Sequence, residues 1–374
     1  MRVLLFANTA WYLYNFRYAQ ILALQAEGYE VLLLSPPDSY GEELTRLGLD
    51  WRAAPMQRLS VNPWRELRLL TWLIGFIRSE QIGLVHGFTI KSALYGSLAA
   101  RLAGDRPRVS AVAGLGYVFT SPSVKARLLR PLVSGLFRVA LGGRKSRLII
   151  QNGDDAAVFE EARLIDKRHI RLIKGSGVDL DRFTPPSGEP ARPPFRVLLP
   201  ARLLWDKGVG ELVEAAQLLR ARGAAVEVVL AGEPDPGNPA AVPKDAIHRW
   251  QDEGLIQWPG KVDDTPALFR SVHAVVLPSY REGLPKSLIE AAGCARPLIT
   301  TNVPGCREVV TDGVDGLLVA PRDASALADA IERLSADPIL CQRLGGAARR
   351  KAQAEFDERI VIERTMAVYQ ELKS

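Results

Sequence analysis

The chain has 374 residues, a net charge of +6 and 47% hydrophobic residues, more than one domain usually holds and enough for two cores of ordinary size. Its longest nearly uninterrupted apolar run, residues 69–77, has nine residues against the roughly 20 that a membrane-crossing helix requires, so no bilayer span is expected. Cys294, Cys306 and Cys341 are odd in number and lack a Cys-x-x-Cys pair, which argues against a disulfide framework and a zinc site.

The N-terminal stretch MRVLLFANTAWYLYNFR lacks the long apolar core and small-residue cleavage site of a signal peptide. It reads as a buried strand followed by a loop, and a cytoplasmic location follows by default. Strands are predicted at 3–6, 31–34, 84–87, 109–112 and 148–151, with helical patterns between them such as 16–26 and 92–102. After residue 195 they are predicted at 196–199, 226–230, 256–258, 274–277, 297–300 and 316–319. This alternation predicts parallel sheets covered by helices on both faces. The stretch TPPSGEPARPP, residues 184–194, interrupts the rhythm with five prolines and a glycine and has the composition of a linker.

Charge is uneven along the chain. Residues 1–180 hold 24 Lys and Arg against 15 Asp and Glu, and the remainder holds 24 against 27. The basic character is densest in residues 121–150, where Lys125, Arg127, Arg130, Arg138, Arg144, Lys145 and Arg147 occur without an acid and alternate with apolar residues. A helix there is amphipathic and cationic, suited either to core packing with a solvated face or to reversible docking on an anionic membrane surface.

Open parallel sheets bind ligands beyond the C-terminal ends of their strands, at topological switch points, so chemistry is sought in the loops after the strands. In AVVLPSYREGLPKSLIEAAG a predicted strand is followed by Glu282-Gly283-Leu284-Pro285 and a helix beginning near Lys286. Gly283 allows close backbone approach and Pro285 suits a helix start. The first amides of that helix, with Lys286 beside them, suit an anion. Glu282 and Glu290 would repel phosphate and suit sugar hydroxyls instead. In LLPARLLWDKGVGELVEAAQLL, Arg202 and Lys207 follow another predicted strand, placed to grip a diphosphate.

PSYREGLPKSLIEAAGCARPLITTNVPGCREVV, together with ARLLWDKG, resembles the signature of glycosyltransferase family 4, the E-x7-E motif of retaining GT-B enzymes. The stretches YNFRYAQILALQAEGYEV, TIKSALYGSLAARLAG, GLGYVFT, QNGDDAAVF and GSGVDLDRF are similar to the subgroup that builds bacterial capsule, O-antigen and N-glycan precursors on a lipid carrier. The resemblance covers nearly the whole chain. It implies an α/β GT-B fold, with two doubly wound Rossmann-like domains facing a central cleft. Residues 1–183 would bind the acceptor, 184–194 would link, and 195–355 would bind the nucleotide-sugar. Residues 356–374 would form a helix packing back towards the N-terminal domain.

The resemblance further implies a hexosyltransferase that retains configuration and needs no metal or other cofactor. Its co-substrate would be a nucleotide-sugar, UDP-linked and N-acetylated, and its acceptor a polyprenyl-diphosphate-linked saccharide. No nucleic acid is expected as a partner, and the enzyme would sit peripherally on the inner face of the plasma membrane. Arg202 and Lys207 would hold the donor diphosphate, Glu282 would contact the transferred sugar and Glu290 the ribose. Gly283, Leu284 and Pro285 would line the diphosphate, and Lys261 and Val262 would edge the base. Many members carry a histidine near the reacting sugar where this chain has Ala113. That departure shifts attention to Gly114, Gly116 and, after the first strand, Asn15 and Arg17.

Asp179-Leu180-Asp181 matches a metal-binding D-x-D pattern but reads as structural, as does His86. GSGVDL lacks the third glycine of a dinucleotide fingerprint. A nucleotide-sugar 2-epimerase of the same architecture and a non-catalytic nucleotide-sugar-binding protein are the rival readings.

Overall fold

The computed structural model describes residues 1–58, 60, 62–112, 124–188, 193–235 and 237–373, without the side chains of 124–129 and 132. It divides into two compact units, Met1–Ser176 with Val361–Ser374, and Gly177–Ile360.

Among the described residues the first unit holds seven strands: β1 (Arg2–Phe6), β2 (Glu30–Ser35), β3 (Asp50–Ala53), β4 (Leu84–Phe88), β5 (Arg108–Val112), β6 (Ser146–Ile150) and β7 (Ile170–Leu172). They pair in the order β3-β2-β1-β4-β5-β6-β7, every pair parallel. Buried residues fill both faces of β4 and β5, which is why these strands read as apolar runs without alternation. β3 and β7 were not predicted. Both are short edge strands, and a short, partly polar edge leaves little periodic signal.

The helix Ala10–Ala26 begins well before the predicted 16–26. The Thr9 hydroxyl accepts from the Tyr12 amide at 3.1 Å, and the Asp38 carboxylate accepts from Ala10 at 2.9 Å and Trp11 at 3.2 Å. These caps start the helix immediately after β1, in an aromatic stretch whose crowding hides the helical period.

The second unit holds β8 (Phe195–Pro200), β9 (Val226–Ala231), β10 (Gln257–Gly260), β11 (Ala274–Leu277), β12 (Leu298–Thr301) and β13 (Gly316–Val319). Their order is β10-β9-β8-β11-β12-β13, again with every pair parallel. This is the doubly wound arrangement whose order reverses between β8 and β11.

The unit boundary differs from the expected end of the first domain at residue 183. Val178, Leu180 and Phe183 are buried in one cluster with Val275, Leu288 and Phe356, so apolar burial assigns them to the second unit, which begins at Gly177. At the other end the expected change at residue 356 comes later. Phe356 belongs to the second core, whereas Val361, Val368 and Tyr369 join the first.

Among the described residues no helix is long and apolar enough to cross a membrane. In the basic 121–150 stretch, Arg138 donates to the carbonyls of Arg163 at 3.0 Å and Ala162 at 3.1 Å, and Arg147 pairs with Glu371 at 2.7 Å. These two charges serve internal contacts, while Arg144 and Lys145 are exposed.

Candidate active site

The switch point of the second sheet brings two loops together. One leaves β8 and carries Arg202 and Lys207; the other leaves β11 and carries Ser279 through Pro285. Because β8 and β11 are neighbours, residues far apart in the chain meet. The Lys207 ammonium forms an ion pair with Glu282 Oε1, and Ser279 Oγ donates to the same oxygen at 2.7 Å. Both charged side chains are mostly buried, 21% and 12% exposed, so the pair is screened less than a surface pair.

Backbone close approach makes this possible. Gly208 has φ +73°, and a Cβ there would overlap the Pro278 carbonyl; only glycine fits both demands. The Tyr280 amide donates to the Asp206 carbonyl at 3.0 Å, and its hydroxyl donates to Glu211 at 2.5 Å, while Arg322 lies 4.6 Å from its ring centroid. Tyr280 thus ties the Glu282 loop to the turn that carries Lys207. On the far side Glu282 donates its amide to the Pro304 carbonyl at 3.2 Å.

Arg202 lies in the same loop as Lys207 but is half exposed, and its Nη1 is 2.7 Å from Asp235 Oδ2. Asp235 follows β9, the neighbour of β8 on the other side. Sequence reasoning missed Asp235, Ser279 and Tyr280 as site residues. Ser279 and Tyr280 stand within three residues of Glu282, so the loop itself carried a signal; Asp235 had none, because only the sheet order brings it to Arg202.

The helix Lys286–Gly293 starts one residue after Pro285, which is its N-cap and makes no side-chain cap bond. Pro285 therefore precedes the first turn that it was expected to open. Leu284 is 9% exposed and belongs to the core cluster, so its amide rather than its side chain is the group it can offer a ligand. Gly283 is half-buried beside it.

Glu290 lies on this helix, 3.9 Å from the Lys286 ammonium. Burial pushes its carboxyl above the usual range, with Lys286 and Arg182 pulling the other way. The Cys306 thiol, buried near the Glu282 carboxylate, is pushed up to about 12, which leaves it protonated at neutral pH. Lys261 is exposed with Asp263 3.4 Å away, and Val262 packs on the β8–β12 core.

In the first unit, Asn15 and Arg17 stand on the helix Ala10–Ala26, not in a loop after β1. Asn15 Nδ2 donates to the Trp11 carbonyl at 3.0 Å. Ala113, Gly114 and Gly116 lie outside the described residues. His86 is buried with Nδ1 2.6 Å from the Tyr369 hydroxyl. Asp179 Oδ1 accepts from the amides of Asp181 at 2.9 Å and Arg182 at 3.1 Å, a turn-forming role, and no metal-binding cluster of acids, histidines or cysteines occurs among the described residues.

The two parallel sheets and their switch-point loops define a doubly wound α/β class, and comparison with known proteins narrows it. The family model described as "Glycosyl transferases group 1" matches residues 194–337, and "Glycosyl transferase 4-like" matches residues 2–152. Each match falls within one of the two units, and both models describe glycosyl transferases.

The N,N'-diacetylbacillosaminyl-diphospho-undecaprenol alpha-1,3-N-acetylgalactosaminyltransferase of Campylobacter jejuni is 28% identical over 99% of this chain and 98% of its own. Among solved structures, a glycosyltransferase from Rickettsia africae superposes with a TM-score of 0.81 at 19% identity, over 100% of this chain and 98% of that one. HepE of Anabaena, crystallised with UDP, gives 0.75 at 20% identity over 99% of this chain and 100% of its own. The chain has the GT-B fold, with two parallel-sheet Rossmann-like domains.

Proposed function

We propose that this glycosyltransferase moves an N-acetylhexosamine from a UDP-sugar to a polyprenyl-diphosphate-linked saccharide, with retention and without a metal, during assembly of a bacterial surface glycan. The observation that carries the reading is the Lys207–Glu282 pair at the second switch point, with Arg202 in the same loop. Fixed cations beside a helix N-terminus suit a departing diphosphate, whose growing charge they stabilise without reorganisation. In this role Lys207 and Arg202 exchange their carboxylate partners for phosphate oxygens, and the Glu282 carboxylate turns to a hydroxyl of the transferred sugar.

Glu290 accepts from the ribose hydroxyls, Gly283 and Leu284 offer amides, and Lys261 and Val262 border the base. Retention follows from attack by the acceptor hydroxyl on the face from which the diphosphate leaves, with no dedicated base. The acceptor and donor classes are argued from the Campylobacter relative, whose name specifies a diphospho-undecaprenol acceptor and an N-acetylated sugar, and from HepE with UDP. A lipid-borne acceptor calls for peripheral association with the inner face of the plasma membrane, to which Arg144 and Lys145 are exposed contributors.

The test is incubation with a panel of UDP-sugars and a polyprenyl-diphosphate saccharide, read by mass. Acceptor extended by one N-acetylhexosamine is expected; donor isomerised without acceptor would establish the epimerase instead. Donor bound without turnover under all conditions would leave a binding protein.

A further inference from the structure

The Glu282 carboxylate is held by one oxygen. Both of its protein donors among the described residues, the Lys207 ammonium and the Ser279 hydroxyl, meet Oε1, and Oε2 takes neither. The two donors differ in what fixes them. Lys207 carries its charge at the end of a flexible stem in the loop after β8, on a side chain that is 21% exposed. Ser279 is fully buried and stands two residues beyond the end of β11.

The backbone of Ser279 is anchored from the neighbouring strand. In the parallel pair β11–β12, Leu277 lies beside Thr300. The two buried threonines that end β12 reach back across this pair: Thr300 Oγ1 donates to the Leu277 carbonyl at 2.6 Å, and Thr301 Oγ1 donates to the Ser279 carbonyl. The next residue, Tyr280, is held through its amide by Asp206 and through its hydroxyl by Glu211. Glu282 is fixed at its own amide by the Pro304 carbonyl, and Gly305, at φ +81°, packs so closely that a Cβ would lie 2.5 Å from the Glu282 carbonyl oxygen. None of these contacts uses the Lys207 side chain.

That independence matters once a diphosphate arrives. On the proposed function Lys207 leaves Oε1 for phosphate oxygens, and the carboxylate then faces a like charge. Held by no donor, it would regain rotamer freedom and lose its place. A hydroxyl donating to a carboxylate makes a charge-assisted bond, shorter and stronger than a neutral one. The Ser279 bond, at 2.7 Å, is of that kind, and releasing it would leave a buried hydroxyl unsatisfied.

We infer that Ser279 is a positioning residue: it keeps Oε1 of Glu282 in place when Lys207 departs, so that Oε2 is the oxygen that accepts from a hydroxyl of the transferred sugar. Thr301 supports this through the Ser279 carbonyl. The inference rests on the reading of Glu282 as the sugar contact.

The experiment compares the full chain with Ser279→Ala, Thr301→Val, Glu282→Ala and the double variant of Ser279→Ala with Glu282→Ala. Calorimetry measures binding of UDP and of UDP-N-acetylgalactosamine, and transfer to a polyprenyl-diphosphate saccharide gives kcat and KM. Ser279→Ala is expected to lower kcat about ten- to a hundredfold, the scale of one hydrogen bond to a charged group. It should also weaken the nucleotide-sugar several-fold, while UDP, which has no sugar, binds within about twofold of wild type. Thr301→Val should shift the same readings in the same direction by less. In the Glu282→Ala background, Ser279→Ala should change nothing further.

Unchanged kcat and nucleotide-sugar binding in Ser279→Ala overturn the inference. So does a loss shared equally by UDP and the nucleotide-sugar with a lower melting temperature, since that marks a collapsed loop. A loss that persists in the Glu282→Ala background overturns it as well. Wild type that binds the nucleotide-sugar yet transfers nothing counts against the proposed function alone, and the binding comparison still decides the role of Ser279.

Discussion

Lys207 and Glu282, 75 residues apart in sequence, form one ion pair at the reversal point of the second sheet. The pair also joins two cation-bearing and carboxylate-bearing loops that the Tyr280 and Gly208 contacts hold close. Each of its members has a separate task on the proposed function, and they are coupled in the free protein.

That coupling is measurable. Lys207→Ala and Glu282→Ala are each expected to lower kcat by about a hundredfold or more, the scale of losing one transition-state contact. The double variant should lose far less than the product of the two losses, because each single change strands its partner. Steady-state rates with a fixed UDP-sugar, with circular dichroism to establish folding, decide it. Near-normal rates in either single variant would remove these residues from the site.

Asp235 restrains Arg202 at 2.7 Å and competes with any phosphate for the same guanidinium. Asp235→Asn is expected to tighten UDP binding about two- to tenfold at low salt, and the gain should shrink as ionic strength rises. Calorimetric titration at two salt concentrations measures both effects. Weaker binding in the variant would show that Asp235 orients Arg202 rather than opposing the ligand.

Glu290 gives a pH signature. Its folded carboxyl is raised above the ordinary value of 4.5 by burial, so the folded state holds that proton more tightly than the unfolded chain does. The sign is therefore a stability that falls as pH rises through this range, and a standing cost at neutral pH. Glu290→Gln should melt higher than wild type at pH 7.5, the difference disappearing towards pH 4, while KM for the nucleotide-sugar rises. A melting temperature lowered at neutral pH would contradict the burial argument.

His86 acts in the opposite sense. Burial first, then the Arg17 charge, holds its imidazole well below 6.5, and its Nδ1 meets the Tyr369 hydroxyl. The unfolded chain takes up the proton that the folded ring refuses, so stability is whole above pH 6.5 and is lost as pH falls below it. The slope is roughly 1.4 kcal/mol per pH unit. Urea unfolding at pH 7.5, 6.5 and 5.5 tests this, and His86→Gln should flatten that contribution.

Much of the second unit was legible before its structure. Its β-rich runs alternate with helical periods, and the strands at 274–277 and 316–319 coincide with β11 and β13. Glu282, Glu290, Arg202 and Lys207 could be singled out because their loops carry glycine, proline and charge in a local pattern. The first unit was less legible. The start of the helix Ala10–Ala26 is set by a cap from Asp38, 28 residues away from Ala10, and the edge strands β3 and β7 have too few residues to show a period.

The order of residue types along the chain by itself determined alternating strands and helices, two parallel sheets and the two charged loops that carry the candidate residues. Tertiary structure alone decided that β8 lies between β9 and β11, so that Asp235 meets Arg202 and Glu282 meets Lys207. It alone buried Arg17 against Phe88 and moved the unit boundary ahead of Val178. The physical reason is that propensity and period act over a few residues, whereas strand adjacency and the company of a buried charge are settled by how whole elements cover one another's apolar faces.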